Sequence, residues 1–416
     1  MAGLRAGVGR LLARARALGP AVDLLAFYAA SGFFLERDGF GLVGSGVALD
    51  VALPDGLSGA SETAAGALAR VAGDAVDGPG SGPVAVGAFP FSAGSPGRLV
   101  VPRRTLRRHA GGPTWEVVID GGDGEREEPA PFRPSRPDFG ELRVRPVPEP
   151  AMYAAAVAEA TRRIRAGELR KVVLARSLEV EAERTFDARA LLGRLRSVDP
   201  GCYAFGVPAG DGAVLVGASP ELLIRREGRE VLARPLAGSA PRFSDPGEDR
   251  ASAEGLLASA KNREEHVVVV EAIVEALGRL CGEVRADPEP HPIGTANVWH
   301  LATDIGGRLD DPRTSVLDLV AALHPTPAVC GWPATAAREA IAEVEPFDRG
   351  LYAGPVGWVD ANGDGEWAIA LRCAEVSGPK ARVFAGAGIV ADSDPDAEVE
   401  ETEAKFRALL DALRWG

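Results

Sequence analysis

The sequence is poor in cysteine and histidine, the residues from which zinc and redox sites are built. Its 416 residues include five histidines and four cysteines, and Cys202, Cys281, Cys330 and Cys373 are too widely separated to form a CxxC pair. A CxxC pair is the usual sequence sign of a zinc site or a dithiol redox centre. We therefore expect reduced, mostly buried thiols. The sequence offers neither zinc chemistry nor a Ser-His-Asp or Cys-His catalytic arrangement.

The sequence also lacks a long apolar run and an excess of positive charge. Apolar stretches such as residues 267–270 are soon interrupted, here by Glu271, well short of the length that crosses a bilayer. The formal net charge is -13, whereas nucleic acids and anionic membranes are bound by basic patches. The first twenty residues are rich in arginine and contain no acid, but they lack serine enrichment and a cleavage-like site. We expect a cytoplasmic monomer without nucleic-acid or membrane partners, which holds any anionic substrate by a few local cations.

Lysine is the scarcest charged residue. Only four of the 46 basic residues are lysines, namely Lys171, Lys261, Lys380 and Lys405. Arginine cannot lose its proton near neutral pH, whereas a partly buried lysine can. A lysine that persists in such an arginine-rich chain is therefore a candidate for proton transfer.

The order of the predicted elements indicates an α+β fold with largely antiparallel sheets. Residues from about 25 to 105 show short strand and turn patterns, and a loop rich in Gly, Pro and charge follows to about 150. The later elements do not follow a strict βαβ order. They are a helix over 151–166, strands over 171–180, 213–216 and 222–233, and a helix over 252–280.

The clearest local structure is a helix at the C-terminal end. Residues 393–396, Ser-Asp-Pro-Asp, supply an N-cap, a first-turn proline and a first-turn acid. A buried stripe follows at i, i+3, i+4 and i+7, made of Phe406, Leu409, Leu410 and Leu413. At about 100° per residue, Glu398, Glu401 and Lys405 lie together on one flank of that stripe.

A second acidic cluster, Lys261-Asn-Arg-Glu-Glu-His266, begins the helix predicted upstream. One glutamate from each helix would suit Mg²⁺, which takes a couple of carboxylates and leaves positions for water and substrate oxygens. Taken alone, each acidic cluster is more typical of a solvated helix face than of a metal site.

Lys171 and Glu221 are candidates for acid–base chemistry. Lys171 opens a predicted strand, where an exposed strand-end lysine is the simpler interpretation. Glu221 follows Ser219-Pro220 at a bend among apolar residues, where burial would raise its pKa so that it holds a proton. A surface glutamate at a strand bend fits that segment as well.

Other polar and glycine-rich segments could contact an anionic ligand. His300 and Arg372 are polar residues within apolar stretches. Each is either a buried side chain whose hydrogen bonds are made within the core or a contact to the substrate. Glycine-rich turns are predicted at 235–239 and 384–389, where exposed N–H groups could hold a carboxylate. The second of these lacks the third glycine of a dinucleotide fingerprint.

Ten segments occur in order along residues 171–405: KVVLAR (171–176), GASPELL (217–223), RPLAGSAPR (234–242), KNREEH (261–266), VWHLAT (298–303), LHPTPAVCGWP (323–333), EPFDRGLYAGPVGW (345–358), GEWAIALRCA (365–374), FAGAGIV (384–390) and EVEETEAK (398–405). Together they resemble the chorismate-utilising enzyme family and, within it, the isochorismate synthases. The resemblance implies a single large domain of two mostly antiparallel β-sheets, packed together and flanked by helices. Residues 146–416 would be the chorismate-binding catalytic region, and residues 1–145 a weakly matched, strand-rich part of the same fold.

The resemblance also implies an activity and a set of site residues. The activity is Mg²⁺-dependent addition of water at ring C2 of chorismate with loss of the C4 hydroxyl. Lys171 would be the base and Glu221 the acid, with His300 beside the reacting ring. Glu265 and Glu401 would bind the metal, with Glu398 nearby. The implied substrate contacts are Gly238, Ser239, Thr303, Ala328, Tyr352, Arg372, Gly388 and Lys405.

Single positions distinguish this chain from relatives with other chemistry. Relatives that use ammonia have glutamine at the position of Lys171, and aminodeoxychorismate synthases typically have lysine where this chain has Ala237. Salicylate synthases, which go on to eliminate pyruvate, share the lysine but usually have threonine near Ala328. A non-catalytic carboxylate-binding homologue would have lost Lys171, Glu221, Glu265 or Glu401. Isochorismate would serve menaquinone or siderophore biosynthesis.

Overall fold

Two large sheets and a small third sheet form the framework of the protein. The structure, a computed structural model, describes residues 11–19, 22–73, 80–120 and 138–414. Within these ranges every strand pair is antiparallel except the parallel pair of Leu11–Leu18 with Val71–Gly73. The main hydrophobic core contains side chains from both large sheets, such as Phe205 and Trp367. The predicted α+β fold with mostly antiparallel sheets is confirmed. The small third sheet was not predicted.

The largest sheet has 13 strands in the described ranges. They are β1 (Leu11–Leu18), β2 (Phe33–Arg37), β3 (Phe40–Ser45), β5 (Val71–Gly73), β8 (Arg104–Arg108), β9 (Thr114–Asp120), β10 (Leu142–Val147), β11 (Lys171–Ala182), β12 (Tyr203–Gly210), β13 (Ala213–Ser219), β21 (Gly331–Trp332), β24 (Cys373–Ser377) and β25 (Lys380–Ile389). Their spatial order is β10-β11-β25-β24-β13-β12-β2-β3-β8-β9-β1-β5, and β21 also pairs with β11. Strands from the first 120 residues therefore share this sheet with the strand that begins at Lys171.

The other two sheets contain the remaining described strands. The nine-stranded sheet is formed by β4 (Leu49–Leu53), β6 (Val84–Ala88), β7 (Gly97–Val101), β14 (Leu222–Glu227), β15 (Glu230–Arg234), β17 (Cys281–Ala286), β20 (Ile305–Leu309), β22 (Pro355–Asp360) and β23 (Gly365–Ile369). The small sheet is formed by β16 (Leu236–Pro241), β18 (His291–Gly294) and β19 (Val298–Ala302).

Eight α-helices lie in the described part of the chain. They are α1 (Ala60–Leu68), α2 (Pro150–Arg165), α3 (Ala188–Val198), α4 (Pro246–Ala258), α5 (Ala260–Leu277), α6 (Val316–Leu323), α7 (Ala334–Val344) and α8 (Pro395–Arg414). α8 packs against β25, and α5 packs against β16. Among the helices described, none has both the length and the apolar character needed to cross a membrane.

The sequence pattern explains the two elements that frame the site. β11 is rich in aliphatic residues and lies almost entirely buried, antiparallel to β25 from Val172↔Ile389 to Glu181↔Lys380. In α8, Phe406, Leu409 and Leu413 are buried as predicted, and Leu410 is half-buried. The helix cap is Asp394, whose Oδ1 accepts a hydrogen bond from the Ala397 N–H at 3.0 Å. Ser393 instead accepts from the N–H of Val390.

Three local predictions are corrected by the structure. The single helix predicted over 252–280 is two helices, because Ser259 ends α4 and its hydroxyl caps α5 at the Asn262 N–H. The strand predicted over 222–233 is the hairpin of β14 and β15, which reverses at Gly228 with φ +62°. The predicted glycine-rich turns at 235–239 and 384–389 lie mainly in strands β16 and β25. Glycine is needed there for close packing and for a bulge at Gly238, where φ is +79°.

Candidate active site

One cavity gathers most of the residues singled out in the sequence. It lies where β11 and β25 meet the small sheet, α5 and α8. The predicted residues that line it are Glu221, Gly238, Ser239, Glu265, His300, Ala328, Tyr352, Arg372, Gly388, Glu401 and Lys405. Residues as far apart as Glu221 and Lys405 therefore share one wall, an arrangement that no local sequence pattern shows.

Lys171 does not itself line this cavity, but it is completely buried beside Glu265, which does. Its side chain has 0% exposure, and its Nζ lies 3.1 Å from Glu265 Oε1. Within the described residues Nζ has no partner in hydrogen-bond geometry. Gly388 provides the space for this pair, because a Cβ there would lie 2.0 Å from Glu265 Oε1 and 3.0 Å from Lys171 Cε. The interpretation of Lys171 as an exposed strand-end lysine is wrong.

Glu221 is a buried carboxyl group between β13 and β14. The bend at Ser219-Pro220 turns it inward, where the residue is 2% exposed, and its N–H donates to the Ser219 hydroxyl at 3.3 Å. Burial raises the pKa of Glu221 to about 8, although the charge of Lys171 opposes that shift. Glu221 is therefore mainly protonated at neutral pH. Its burial also shows that the interpretation as a surface glutamate is wrong.

The carboxylates predicted to bind metal are each paired with a lysine. Lys405 Nζ lies 2.5 Å from Glu401 Oε1 and donates to the Gly386 carbonyl at 2.8 Å. Lys261 Nζ donates to Glu398 Oε1 at 2.5 Å. With the Lys171–Glu265 pair, three of the four lysines in the chain serve this site. Lys261 is a site residue that the sequence interpretation missed, although it is the first letter of the segment KNREEH.

The surroundings of Glu401 and Glu398 shift the pKa values of these two carboxyl groups in opposite directions. Burial opposes ionisation of Glu401, but Lys405, Lys261 and a hydrogen bond from Ser239 together hold its pKa below the ordinary value. Burial and the neighbouring charge of Glu401 raise the pKa of Glu398. Glu401 is thus the more readily ionised of the two.

His300 and Arg372 form a hydrogen-bonded pair on the cavity wall. Arg372 Nη2 donates to His300 Nε2 at 2.9 Å, because a guanidinium has only donors. His300 Nδ1 then carries the proton and donates to the Gly238 carbonyl at 3.2 Å. Burial and the charge of Arg372 hold the pKa of His300 well below its ordinary value, so the ring is neutral. The neutral ring orients Arg372 toward any anion in the cavity.

Three predicted residues lie outside the cavity wall, namely Lys171, Thr303 and Glu398. Thr303 is buried behind it, where its hydroxyl lies 2.7 Å from His266 Nε2. Glu398 is directed toward Lys261 and is absent from the lining. The structure also adds Phe384, whose ring stacks on Tyr352 at 4.8 Å between centroids with an interplanar angle of 8°. Phe384 opens the segment FAGAGIV, but no local signal marks it as a contact.

The donor set at the cavity suits a magnesium ion. Glu265 on α5 and Glu401 on α8 line the same cavity. In the described ranges no three His, Cys, Asp or Glu side chains cluster as a ready-made metal cage. Mg²⁺ does not require one, since it commonly binds one or two carboxylates together with water and substrate oxygens. The two glutamates and an anionic substrate would together satisfy the ion.

Comparison with known proteins identifies the family. Residues 127–414 match the model of the chorismate binding enzymes. This chain belongs to the chorismate binding enzyme family. Among its relatives is the isochorismate synthase DhbC of Bacillus subtilis (strain 168). The two are 40% identical over 399 residues, which cover 94% of this chain and 96% of DhbC.

Solved structures of other chorismate binding enzymes share the whole fold. The putative 2,3-dihydroxybenzoate-specific isochorismate synthase DhbC from Bacillus anthracis has a TM-score of 0.82 and 37% identity, over 94% of this chain and 99% of that one. The menaquinone-specific isochorismate synthase MenF from Escherichia coli has a TM-score of 0.83 and 26% identity, over 98% of this chain and 95% of that one.

Proposed function

We propose that this protein is an isochorismate synthase, which isomerises chorismate to isochorismate with the help of Mg²⁺. The observation that carries the proposal is a pair of buried groups, the protonated Glu221 carboxyl on the cavity wall and the Lys171 amine beside the lining residue Glu265. Adding water at one ring carbon while hydroxyl leaves another needs a base and an acid at the same ring. Relatives named isochorismate synthases cover nearly the whole chain, which supports the same reaction.

The reaction requires two proton transfers that balance. Lys171 Nζ takes a proton from the water whose oxygen bonds to ring C2. The ring double bonds shift, and the C4–O bond breaks. Glu221 gives its proton to the departing hydroxyl, which leaves as water. The burial that raises the pKa of Glu221 keeps this proton in place at neutral pH.

Cations and backbone groups along the cavity would hold the carboxylates of chorismate. Arg372, oriented by His300, and Lys405, held by Gly386, both line the wall. The bulge at Gly238 and the Ser239 hydroxyl lie beside them. The stacked Tyr352 and Phe384 rings form an apolar face suited to a six-membered ring. These few local cations allow a chain with a net charge of -13 to bind a dianion.

Glu265 and Glu401 would hold the magnesium. When bound, the ion would neutralise a ring carboxylate and fix its orientation. Glu401 suits this role because its pKa is lowered, so that it is ionised. Glu398 would instead support the site through its pair with Lys261.

Product analysis tests the proposal directly. Purified protein is incubated with chorismate and Mg²⁺, with and without EDTA, and the products are separated by chromatography. We expect isochorismate as the single product, with turnover abolished by EDTA and restored by excess Mg²⁺. Salicylate with pyruvate would instead identify a salicylate synthase. Absence of turnover under all conditions would favour a non-catalytic carboxylate-binding protein.

A further inference from the structure

A buried ion pair lies in a gap along one edge of β11. On its other edge β11 pairs with β25 from Val172 onward. On the edge with the gap it pairs with β21 at Lys171 and Val172, and with β10 from Ser177 onward. Between these two partners, the Val173 N–H still donates to the Cys330 carbonyl, and the following backbone groups of β11 are bonded by the side chains of Glu345 and Arg349. The gap begins two residues after Lys171.

The two side chains bond β11 much as a short strand would. Arg349 Nη2 donates to the Val173 carbonyl at 2.8 Å. Glu345 Oε1 accepts from the Ala175 N–H at 2.7 Å. The pair is joined by two bonds, Arg349 Nε to Glu345 Oε2 at 2.8 Å and Nη2 to Oε1 at 2.5 Å. The guanidinium and carboxylate thus make the hydrogen bonds to β11 that the backbone of a neighbouring strand would otherwise make.

The same arginine also binds a second part of the cavity wall. Arg349 Nη1 donates to the carbonyl of Val329 at 2.8 Å, and Val329 lines the cavity. The guanidinium lies 6.0 Å from the ring centroid of Tyr352, another lining residue, and 4.3 Å from that of Phe91. One side chain therefore links the strand of the proposed base to two parts of the proposed ring-binding surface.

Stability alone is a poor reason for this ion pair. The side chains of Arg349 and Glu345 are only 2% and 3% exposed, so both charges have lost their hydration. Replacing such a pair by well-packed apolar residues is often neutral or stabilising. The pair does, however, fix the positions of two backbone segments, because Arg349 donates to the carbonyls of Val173 and Val329. Apolar residues could not make these hydrogen bonds.

We propose that Glu345 and Arg349 are positioning residues that set the distance between the Lys171 amine and the ring of the substrate. Neither lines the cavity, and both act through β11 and Val329. The proposal rests on the proposed function of Lys171 as the base. A displacement of about 1 Å between reacting groups can lower a rate by about 100-fold. Loosening this pair is therefore expected to lower kcat far more than it weakens substrate binding.

The test compares conservative variants of this pair with a matched pair elsewhere. The variants are Arg349→Lys and Glu345→Gln. The controls are Arg226→Lys and Asp364→Asn, from a pair joined at 2.7 Å in which Arg226 is also buried and also donates to backbone carbonyls, those of Pro312 and Asn362. Neither control residue lines the active cavity. Thermal unfolding, kcat and KM for chorismate are measured for all four proteins and the wild type.

Both arginine variants should unfold at a lower temperature than the wild type. Only Arg349→Lys should also lose kcat, by at least about tenfold, and its KM should change by less than about threefold. The proposal is overturned if Arg349→Lys keeps kcat within about twofold of wild type, or if Arg226→Lys lowers kcat equally. Should Arg349→Lys not fold, Glu345→Gln decides: a lower kcat at constant KM supports the proposal, and an unchanged kcat overturns it. A wild-type protein that forms no isochorismate contradicts the proposed function instead, before any variant is compared.

Discussion

Glu221 illustrates how position alone turns an ordinary carboxyl group into an acid. Burial raises its pKa to about 8, so the form able to donate a proton predominates below that pH and disappears above it. We predict that kcat/KM for chorismate falls as pH rises through about 8, since kcat/KM reports groups of the free enzyme. A pH profile of kcat/KM checks this. A profile that stays level well above that pH would exclude Glu221 as the proton donor.

Glu401 and Glu398 are one helical turn apart, yet their surroundings differ. Glu401 lines the cavity and is ionised, whereas Glu398 is directed away toward Lys261. We predict that Glu401→Gln raises the Mg²⁺ concentration for half-maximal activity by more than about tenfold, and that Glu398→Gln raises it much less. A magnesium titration of initial rates measures both. Equal effects in the two variants would mean that Glu398 also reaches the metal.

The outcome for single residues shows where sequence reasoning ends. Lysine scarcity and the bend at Ser219-Pro220 make Lys171 and Glu221 candidates, but only the family resemblance implies their roles as base and acid. The burial of Lys171 could not be predicted, because it depends on Glu265 and on the space at Gly388, both far away in the chain. Thr303 was assigned to the substrate on motif resemblance alone, and its side chain bonds His266.

Helix α8 is an element whose stability bears directly on the site, because it carries both Glu401 and Lys405. Its first turn is capped by the Asp394 carboxylate. We predict that Asp394→Ala lowers the free energy of unfolding by about 1 kcal/mol. Chemical denaturation of this variant and of Asp392→Ala, a change at a neighbouring exposed residue, provides the comparison. An equal loss in both variants would mean that the cap contributes nothing specific.

Secondary structure was predictable where the pattern was long and strong, and less so where it was interrupted. α2, β11 and α8 lie close to the positions predicted for them. The break at Ser259 is difficult to predict because apolar residues recur at helical spacing on both sides of it. Only one residue, the serine that caps α5, marks the boundary between α4 and α5. Residues 235–239 and 384–389 have the composition of turns but lie mainly in strands β16 and β25, because their glycines serve tight packing and a bulge rather than chain reversal.

At the scale of the whole molecule, the sheets bring together residues that the sequence keeps apart. β2 lies beside β12, with Glu36 opposite Ala204, and β6 lies beside β22, with Ala88 opposite Val356. The irregular order of strands and helices was sufficient to predict a mostly antiparallel α+β fold. The order of strands within each sheet was not predictable, because it depends on pairings between distant segments. The division at residue 145 stays a prediction, although strands from both sides of it share the two large sheets.

The central claim is that Lys171 is the base, and replacing it by glutamine tests this most directly. Isochorismate formation by Lys171→Gln is compared with that of Lys380→Gln, which changes the exposed lysine on β25. With chorismate and saturating Mg²⁺, Lys171→Gln should lose at least about 100-fold in kcat, as expected for removal of a general base. It should remain folded, and Lys380→Gln should match the wild type. Isochorismate formation by Lys171→Gln at the wild-type rate would contradict the claim.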